Sequence, residues 1–555
     1  MPDVAVHDPQ IPGVEVERIA ESATDPELIL HRFISRDRNT LVKVHSSHTH
    51  KYASSQLASK DLENSEKSKK IELPDSDESA FSGDENAPTL IDFEDDDPTD
   101  PRNFSAPRKH FLTTCLILLL LNSTFASSSS SGAAEAIEER FGSSTIVTIL
   151  AVSLFMVGYV IGPLIWSPMS EHYGRRYVFL SSFSAYLVFT IACAVSPSMA
   201  ALIVFRFFQG LCASCPVAVA GAVFADIYSD PIKRGRAVSL FCGSTVMGTL
   251  SGPFISGYIS TSKLGWRWVF WITAIYASAC LIMLIFAVPE TFRPILMVRR
   301  AAKLRKEGHN VVAAYELEEK DFRSIVVNVL LRPLRMLFKE VIVAAICVYI
   351  AFVYGLLFMF FQAYPIIFQQ DRGMSPGKGN LMLMPIGVGA VIATIAHYTY
   401  DIRIQNQKKA GRVVSLEIER LPVTVITAWF LPIGLFWLGW TSFTRIPFGV
   451  TMLGGIWFGV GFTSLFIGFL NYVTDCYKIY AASAHGIMSV TRSLVAAVFP
   501  LFAPAMYHNL GTPWATSLWA FLGLAMAPTP ILFYKYGHIL RARSEFCSAL
   551  AQQKL

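Results

Sequence analysis

Charge is what this chain has least of. Asp, Glu, Lys and Arg together make up 16% of its 555 residues while 52% are hydrophobic, against about 25% charged in soluble domains. A soluble globular protein is thereby excluded. The nine cysteines are scattered, with Cys115, Cys193, Cys280 and Cys347 inside apolar runs. Their spacing fits neither a disulfide framework nor a zinc site, so no metal is expected and they read as small apolar residues. The first 110 residues lack an apolar h-region, so no signal peptide is expected and insertion is expected to begin with the first spanning helix. Nucleophile triads, phosphate loops and metal clusters are missing, so neither enzyme chemistry nor ATP hydrolysis is expected. A net charge of +5 without a basic cluster gives no reason to expect a nucleic-acid partner.

What is present is long apolar runs. A spanning helix needs about 20 apolar residues, and twelve candidates follow His110. They lie at roughly 110–131, 145–166, 178–195, 199–221, 237–260, 267–288, 341–363, 380–400, 421–441, 447–470, 485–507 and 514–535. The expected organisation is a disordered cytosolic tail over 1–105 and a six-helix bundle over 106–289. A cytosolic loop over 290–340, a second six-helix bundle over 341–540 and a short cytosolic tail over 541–555 complete it. The tail is polar, with an acidic run from Asp92 to Asp100 and a Ser- and Lys-rich centre at Ser65–Ser76; it buries too little apolar surface to offset ordering entropy. With the N-terminus inside, the inner short loops carry eleven Lys and Arg, among them Arg175, Arg176, Arg412, Arg420 and Lys478, and the outer loops six. That bias places both termini in the cytosol.

Four stretches carry chemistry. After the second candidate helix comes Ser167-Pro-Met-Ser-Glu171-His-Tyr-Gly174-Arg175-Arg176, in which Glu171 can accept a bidentate bond from an arginine and latch the turn. The fourth contains Arg206-Phe-Phe-Gln209-Gly210. An arginine in hydrocarbon costs at least about 2.5–3.5 kcal/mol and requires a cavity or partners. Counting about 1.5 Å per residue brings Asn122 of the first helix to a similar depth, so Asn122 and Gln209 are expected to solvate Arg206 in a central chamber. The fifth carries Gly248, Gly252, Pro253 and Gly257, small residues that permit close backbone approach beside a proline-weakened turn. Asp475 follows the tenth, and Arg492, a turn or two into the eleventh, is a candidate partner for it. The seventh is dense in rings, at Phe352, Tyr354, Phe358, Phe360, Phe361 and Tyr364. Most are expected to face lipid, with Tyr354 and Gln362 the chosen chamber residues for a bulky apolar or cationic substrate.

These residues carry a resemblance. The Glu171–Arg176 turn resembles the loop signature of the major facilitator superfamily, with Glu171 for its usual Asp, His172 for Arg and Ser167 for the leading Gly. Arg206–Gly210 matches its R-x-x-Q-G pattern. The Gly248–Gly257 run resembles its antiporter signature, with Ser239 and Ser256 replacing two glycines. Gly265–Trp271, Pro289–Pro294, Asn471–Ala484 and Asp97–Phe104 look like the fungal twelve-spanner drug:proton antiporters. The resemblance covers about residues 92–545 and implies alternating access powered by a proton gradient, with no cofactor.

The reading is therefore an all-α membrane transporter of the major facilitator fold, exporting a drug, toxin or secondary metabolite in exchange for protons. It is expected in the fungal plasma membrane, with the vacuolar membrane as the other address, as a monomer whose partners are substrate, protons and lipid. An uptake carrier for a nutrient or polyamine and a transporter-like sensor are the alternatives. No Asp or Glu falls at the middle of an assigned helix; Glu135 could carry protons were the first helix to run past the serines at 127–131.

Overall fold

The structure, a computed structural model, describes residues 88–94, 96–317, 331–411, 416–477 and 480–552. The segment 1–87, with its Ser65–Ser76 centre, and the loop cations Arg412 and Lys478 lie outside the described residues.

Among the described residues, eleven helical stretches are long and apolar enough to cross a membrane. The first six are Ala106–Gly132, Thr145–Tyr173, Arg175–Ala194, Met199–Ile227, Pro231–Ser260 and Arg267–Ala287. Val341–Gln370, Pro376–Lys409, Leu421–Trp440 and Phe448–Tyr477 follow, and Ser483–Arg543 is the last. That last stretch is two crossings, because Gly511 leaves the helix at φ 71° and ψ 154°, a conformation that glycine enters without steric cost. The described residues thus make twelve crossings in two sets of six, here numbered one to twelve.

Local signals set the helix ends. The fifth crossing opens with Asp230 accepting the Ile232 N–H (3.0 Å) and Pro231 in the first turn, where proline's missing N–H costs nothing. In the first half, crossing one packs on five, two on four and three on six. In the second half, seven packs on the helix carrying eleven, and eight and nine pack on ten. The two halves meet where five lies on eight and two on the helix carrying eleven.

The seventh crossing corrects one expectation. Phe352, Tyr354, Phe358, Phe360, Phe361 and Tyr364 are all buried rather than facing lipid. The tenth and eleventh crossings and the first enclose this helix, so its rings pair with protein, as in Phe360 with Phe458 at 4.8 Å.

The segments outside the crossings are also more ordered than expected. A separate small unit takes in the described residues 88–93 together with 297–317. In it Thr89–Ile91 pairs in parallel with Val311–Ala313, over a small core of Met297, Ala301 and Ala313 with Ile91 and Phe93. The close of the 1–105 segment is therefore structured, and Pro101–Asn103 forms a 3-10 turn. The central 290–340 segment contains the helices Arg293–Lys306 and Arg332–Lys339, and the C-terminal tail the helix Glu545–Gln552.

Candidate transport site and gates

Arg206 lies among crossings one, two and four with no exposed surface. Its guanidinium donates through Nε to the Ala151 carbonyl (2.9 Å), and through Nη1 to the Ala126 carbonyl (2.8 Å) and Gln209 Oε1 (2.9 Å). Nη2 donates to the Ser127 carbonyl and to Ser130 Oγ, each at 3.2 Å. The Phe155 ring covers the cation at 4.3 Å, and Gln209 is itself held by donating to Thr190 Oγ1 at 2.9 Å. Gln209 thus bonds Arg206, but Asn122 does not. Asn122 accepts from the Tyr186 hydroxyl (2.6 Å) and donates to the Thr273 carbonyl (3.5 Å), facing the third and sixth crossings. Depth along the helix matched; azimuth did not. Arg206 itself ties crossings one, two and four together inside one half.

The serine run of crossing one supplies much of that cage and also serves crossing five. Pro253 has no N–H, so the Thr249 carbonyl one turn earlier loses its helical donor. Ser128 Oγ donates to that carbonyl at 2.6 Å. The exchange requires close helices, and glycines provide the room. A side chain at Gly248 would meet Thr124, and one at Gly252 would meet Ser128 and come within 2.8 Å of the Phe125 carbonyl oxygen. Gly252→Val is expected to lower stability by about 1–3 kcal/mol through overpacking and to lose the Ser128–Thr249 bond. Thermal unfolding of the purified protein reads this, and an unchanged midpoint would contradict the packing argument. Gly257 turns to the other half, against Pro376 and Asn380 of crossing eight. With Gly243 against Thr394 and Gly387 against Met247, it makes a continuous seam between crossings five and eight.

At the end where crossing one begins, each half has the same clasp. In the first half Arg175, opening crossing three, donates through Nε to Asp226 at the close of crossing four (3.2 Å) and through Nη1 to Ser170 Oγ (2.6 Å). In the second half Arg420, opening crossing nine, meets Asp475 at the close of crossing ten (2.9 Å) and Asp401 of crossing eight (3.3 Å). By position Asp475 is thus the counterpart of Asp226, not of the Glu171 turn. Glu290 seals that turn instead, its carboxylate accepting the N–H groups of Arg175 (2.9 Å) and Arg176 (3.2 Å). Gly174 has φ +96°, and a side chain there would run into Glu290. Arg176 donates through Nη2 to the Ile285 carbonyl at 2.6 Å, and Glu171 is exposed within electrostatic reach of Arg175 and Arg332.

Two arginines join the halves at this end. Arg420 Nη2 donates to the Pro231 carbonyl (3.1 Å) and Arg236 Nη2 to Gln405 Oε1 (2.6 Å). The suggested pairing of Arg492 with Asp475 is not made, because Asp475 is taken by Arg420. Arg492 lies instead over the rings of Tyr354 (5.3 Å) and Phe466 (5.6 Å). Tyr354 is thus brought to the centre, whereas Gln362, eight residues on, is half-buried and makes no hydrogen bond to a described residue. Glu135 is exposed on the short helix Ala134–Phe141, beyond the end of crossing one at Gly132. On the same short helix, partial burial holds the Glu138 carboxyl above its ordinary value.

Twelve crossings in two halves that meet across a seam, with matching clasps at one end, are the architecture of a membrane carrier. The sequence profile described as Major Facilitator Superfamily matches residues 115–500, and the chain belongs to that superfamily. It is similar to the MFS-type transporter traF of Penicillium crustosum, 37% identical over 81% of this chain and 92% of that protein. The citrinin biosynthesis cluster MFS transporter mrr1 of Monascus ruber is 39% identical over 83% of this chain and 93% of its own. The multidrug transporter mdrA of Aspergillus fumigatus is 38% identical over 84% and 77%. Among solved structures, the proton:xylose symporter XylE superimposes with a TM-score of 0.58 at 18% identity, over 78% of this chain and 96% of that one; that likeness concerns the fold.

Proposed function

We propose that this carrier exports a small organic molecule, of the drug, toxin or secondary-metabolite kind, in exchange for protons entering the cell. It acts as a monomer in the plasma membrane with both termini in the cytosol. The observation that carries the direction is the fifth crossing. Its Gly248, Gly252 and Pro253 are locked against crossing one by the Ser128–Thr249 bond, and its Gly257 closes on crossing eight. A backbone packed this closely around a proline serves as a seal against proton leak, which an exchanger needs. The names of the relatives, multidrug and metabolite-cluster transporters, support the same direction.

Everted membrane vesicles test it. An acid lumen is expected to drive accumulation of labelled organic solutes, and a protonophore to abolish it. Proton-dependent movement of solute in the opposite sense would identify an uptake carrier. Binding without movement of any solute would identify a sensor.

A further inference from the structure

Arg492 is a half-buried cation deep in the protein, without a counter-ion among the described residues. Eleven residues into its helix from Ala481, it lies about 17 Å deep by helical rise, near the middle of a core about 30 Å thick. Tyr354 and Phe466, counted from their own helix ends, reach similar depths. The side chain points inward: Leu494, on the opposite face of the same helix, is exposed. Around the guanidinium are Tyr354 of crossing seven and Phe466 of crossing ten, with Tyr159 of crossing two and Cys242 of crossing five within electrostatic reach. These four residues come from four different crossings, none of them that of Arg492, and they span both halves of the carrier.

The hydrogen bonding of this group is poor. Among the described residues its one hydrogen bond, 3.5 Å long, runs from Nη2 to Ser489 Oγ, and Nε is buried with no acceptor. Arg206 has five acceptors, and Arg420 has two carboxylates and a carbonyl. Ring faces offset part of the desolvation cost of a cation, by about 0.5–2 kcal/mol, but they do not satisfy the directional N–H donors. The Tyr159 hydroxyl is not free to help, since it is engaged with Ser123 Oγ. An arginine fork with unfilled donors, half-buried against two rings, is complementary to a planar carboxylate. The fork takes the charge, and the rings wall the site on one side. A cationic substrate is disfavoured there, because the same ring faces are already covered by a positive charge.

We propose that Arg492 is the substrate-recognition group of this carrier and that the transported class is an organic acid in its anionic form, its carboxylate held by the Arg492 fork beside Tyr354 and Phe466. The proposal rests on the export reading for its physiological direction, yet binding can be measured without flux. The full chain in lipid nanodiscs is titrated calorimetrically with 2-naphthoate and with the uncharged 2-naphthamide, for wild type, Arg492→Gln and Arg492→Lys. Wild type is expected to prefer the acid by about tenfold or more, the range of hydrogen bonds to a charged group. Arg492→Gln is expected to erase that preference while the amide affinity holds, and Arg492→Lys to retain part of it. Equal binding of acid and amide by wild type, no binding of the acid at millimolar concentration, or an intact preference in Arg492→Gln would each overturn the assignment. Should Arg492→Gln fail to fold, the wild-type comparison and Arg492→Lys still decide. Selective acid binding with no flux in everted vesicles would remove the export reading and leave the site standing.

Discussion

Replacing Arg206 by alanine is expected to unfold the first half of this protein more readily, not simply to silence a working carrier. The side chain is fully buried and its five donor contacts reach crossings one and two as well as its own helix. Truncation leaves a cavity that costs about 2–5 kcal/mol for a side chain of this size, and it cuts the ties that hold crossings one and two to crossing four. The carbonyls left behind keep their helical N–H partners, so the loss is one of packing and cross-helix bonding. Arg206→Lys retains the charge, but an ammonium cannot match the planar fork that bonds Ala151 on one side and Ser127 on the other. It should therefore fall between alanine and wild type. The measurement is the thermal unfolding midpoint of detergent-purified protein alongside transport by the same preparation. The two are expected to fall together. Lost transport at a native midpoint would return Arg206 to a direct role in the transport cycle.

The contrast between Arg206 and Arg492 marks how far the sequence could be read. Apolar run length is a one-dimensional signal, so twelve crossings and the six-plus-six division were legible, as was the company of Arg206 and Gln209 three residues apart on one helix. Pairings between helices were not, because they depend on which way each face turns once packed. Asn122 has the right depth and the wrong azimuth, and Arg492 lies deeper in its helix than Asp475, which is already taken by Arg420. Signals for two missed residues did exist. Arg175 and Arg420 open crossings three and nine, and Asp226 and Asp475 close crossings four and ten, so aligning the halves would have exposed the repeated clasp. The buried His397, whose Nε2 lies 2.7 Å from Ser464 Oγ, had no such partner in the other half to betray it. Local order at residues 89–91 was invisible because a three-residue strand needs a distant mate, Val311–Ala313, and the tail's polar composition gave no sign of one.

The second clasp differs from the first in one respect, and a paired substitution should reveal it. Arg175 bonds within its own half, whereas Arg420 also donates across to the Pro231 carbonyl at 3.1 Å. Arg420→Gln removes the closest cation from two carboxylates that are each 6% exposed. Breaking a buried pair in this way costs on the order of 3–5 kcal/mol, softened here because Arg234 and Arg236 remain within reach of Asp475 and Asp401. Arg175→Gln should destabilise as well, yet only Arg420→Gln should loosen the contact between crossings five and eight. Spin labels on the exposed positions Lys233 and Lys408 report that contact by pulsed electron resonance. A longer and broader distance distribution is expected in Arg420→Gln and a wild-type one in Arg175→Gln. Adding Asp475→Asn to Arg420→Gln should recover part of the thermal stability by removing the stranded charge, while the distances stay long because nothing replaces the bond to Pro231. Identical distributions in all four proteins would mean that the arginine holds its own half together and has no part in closing the carrier.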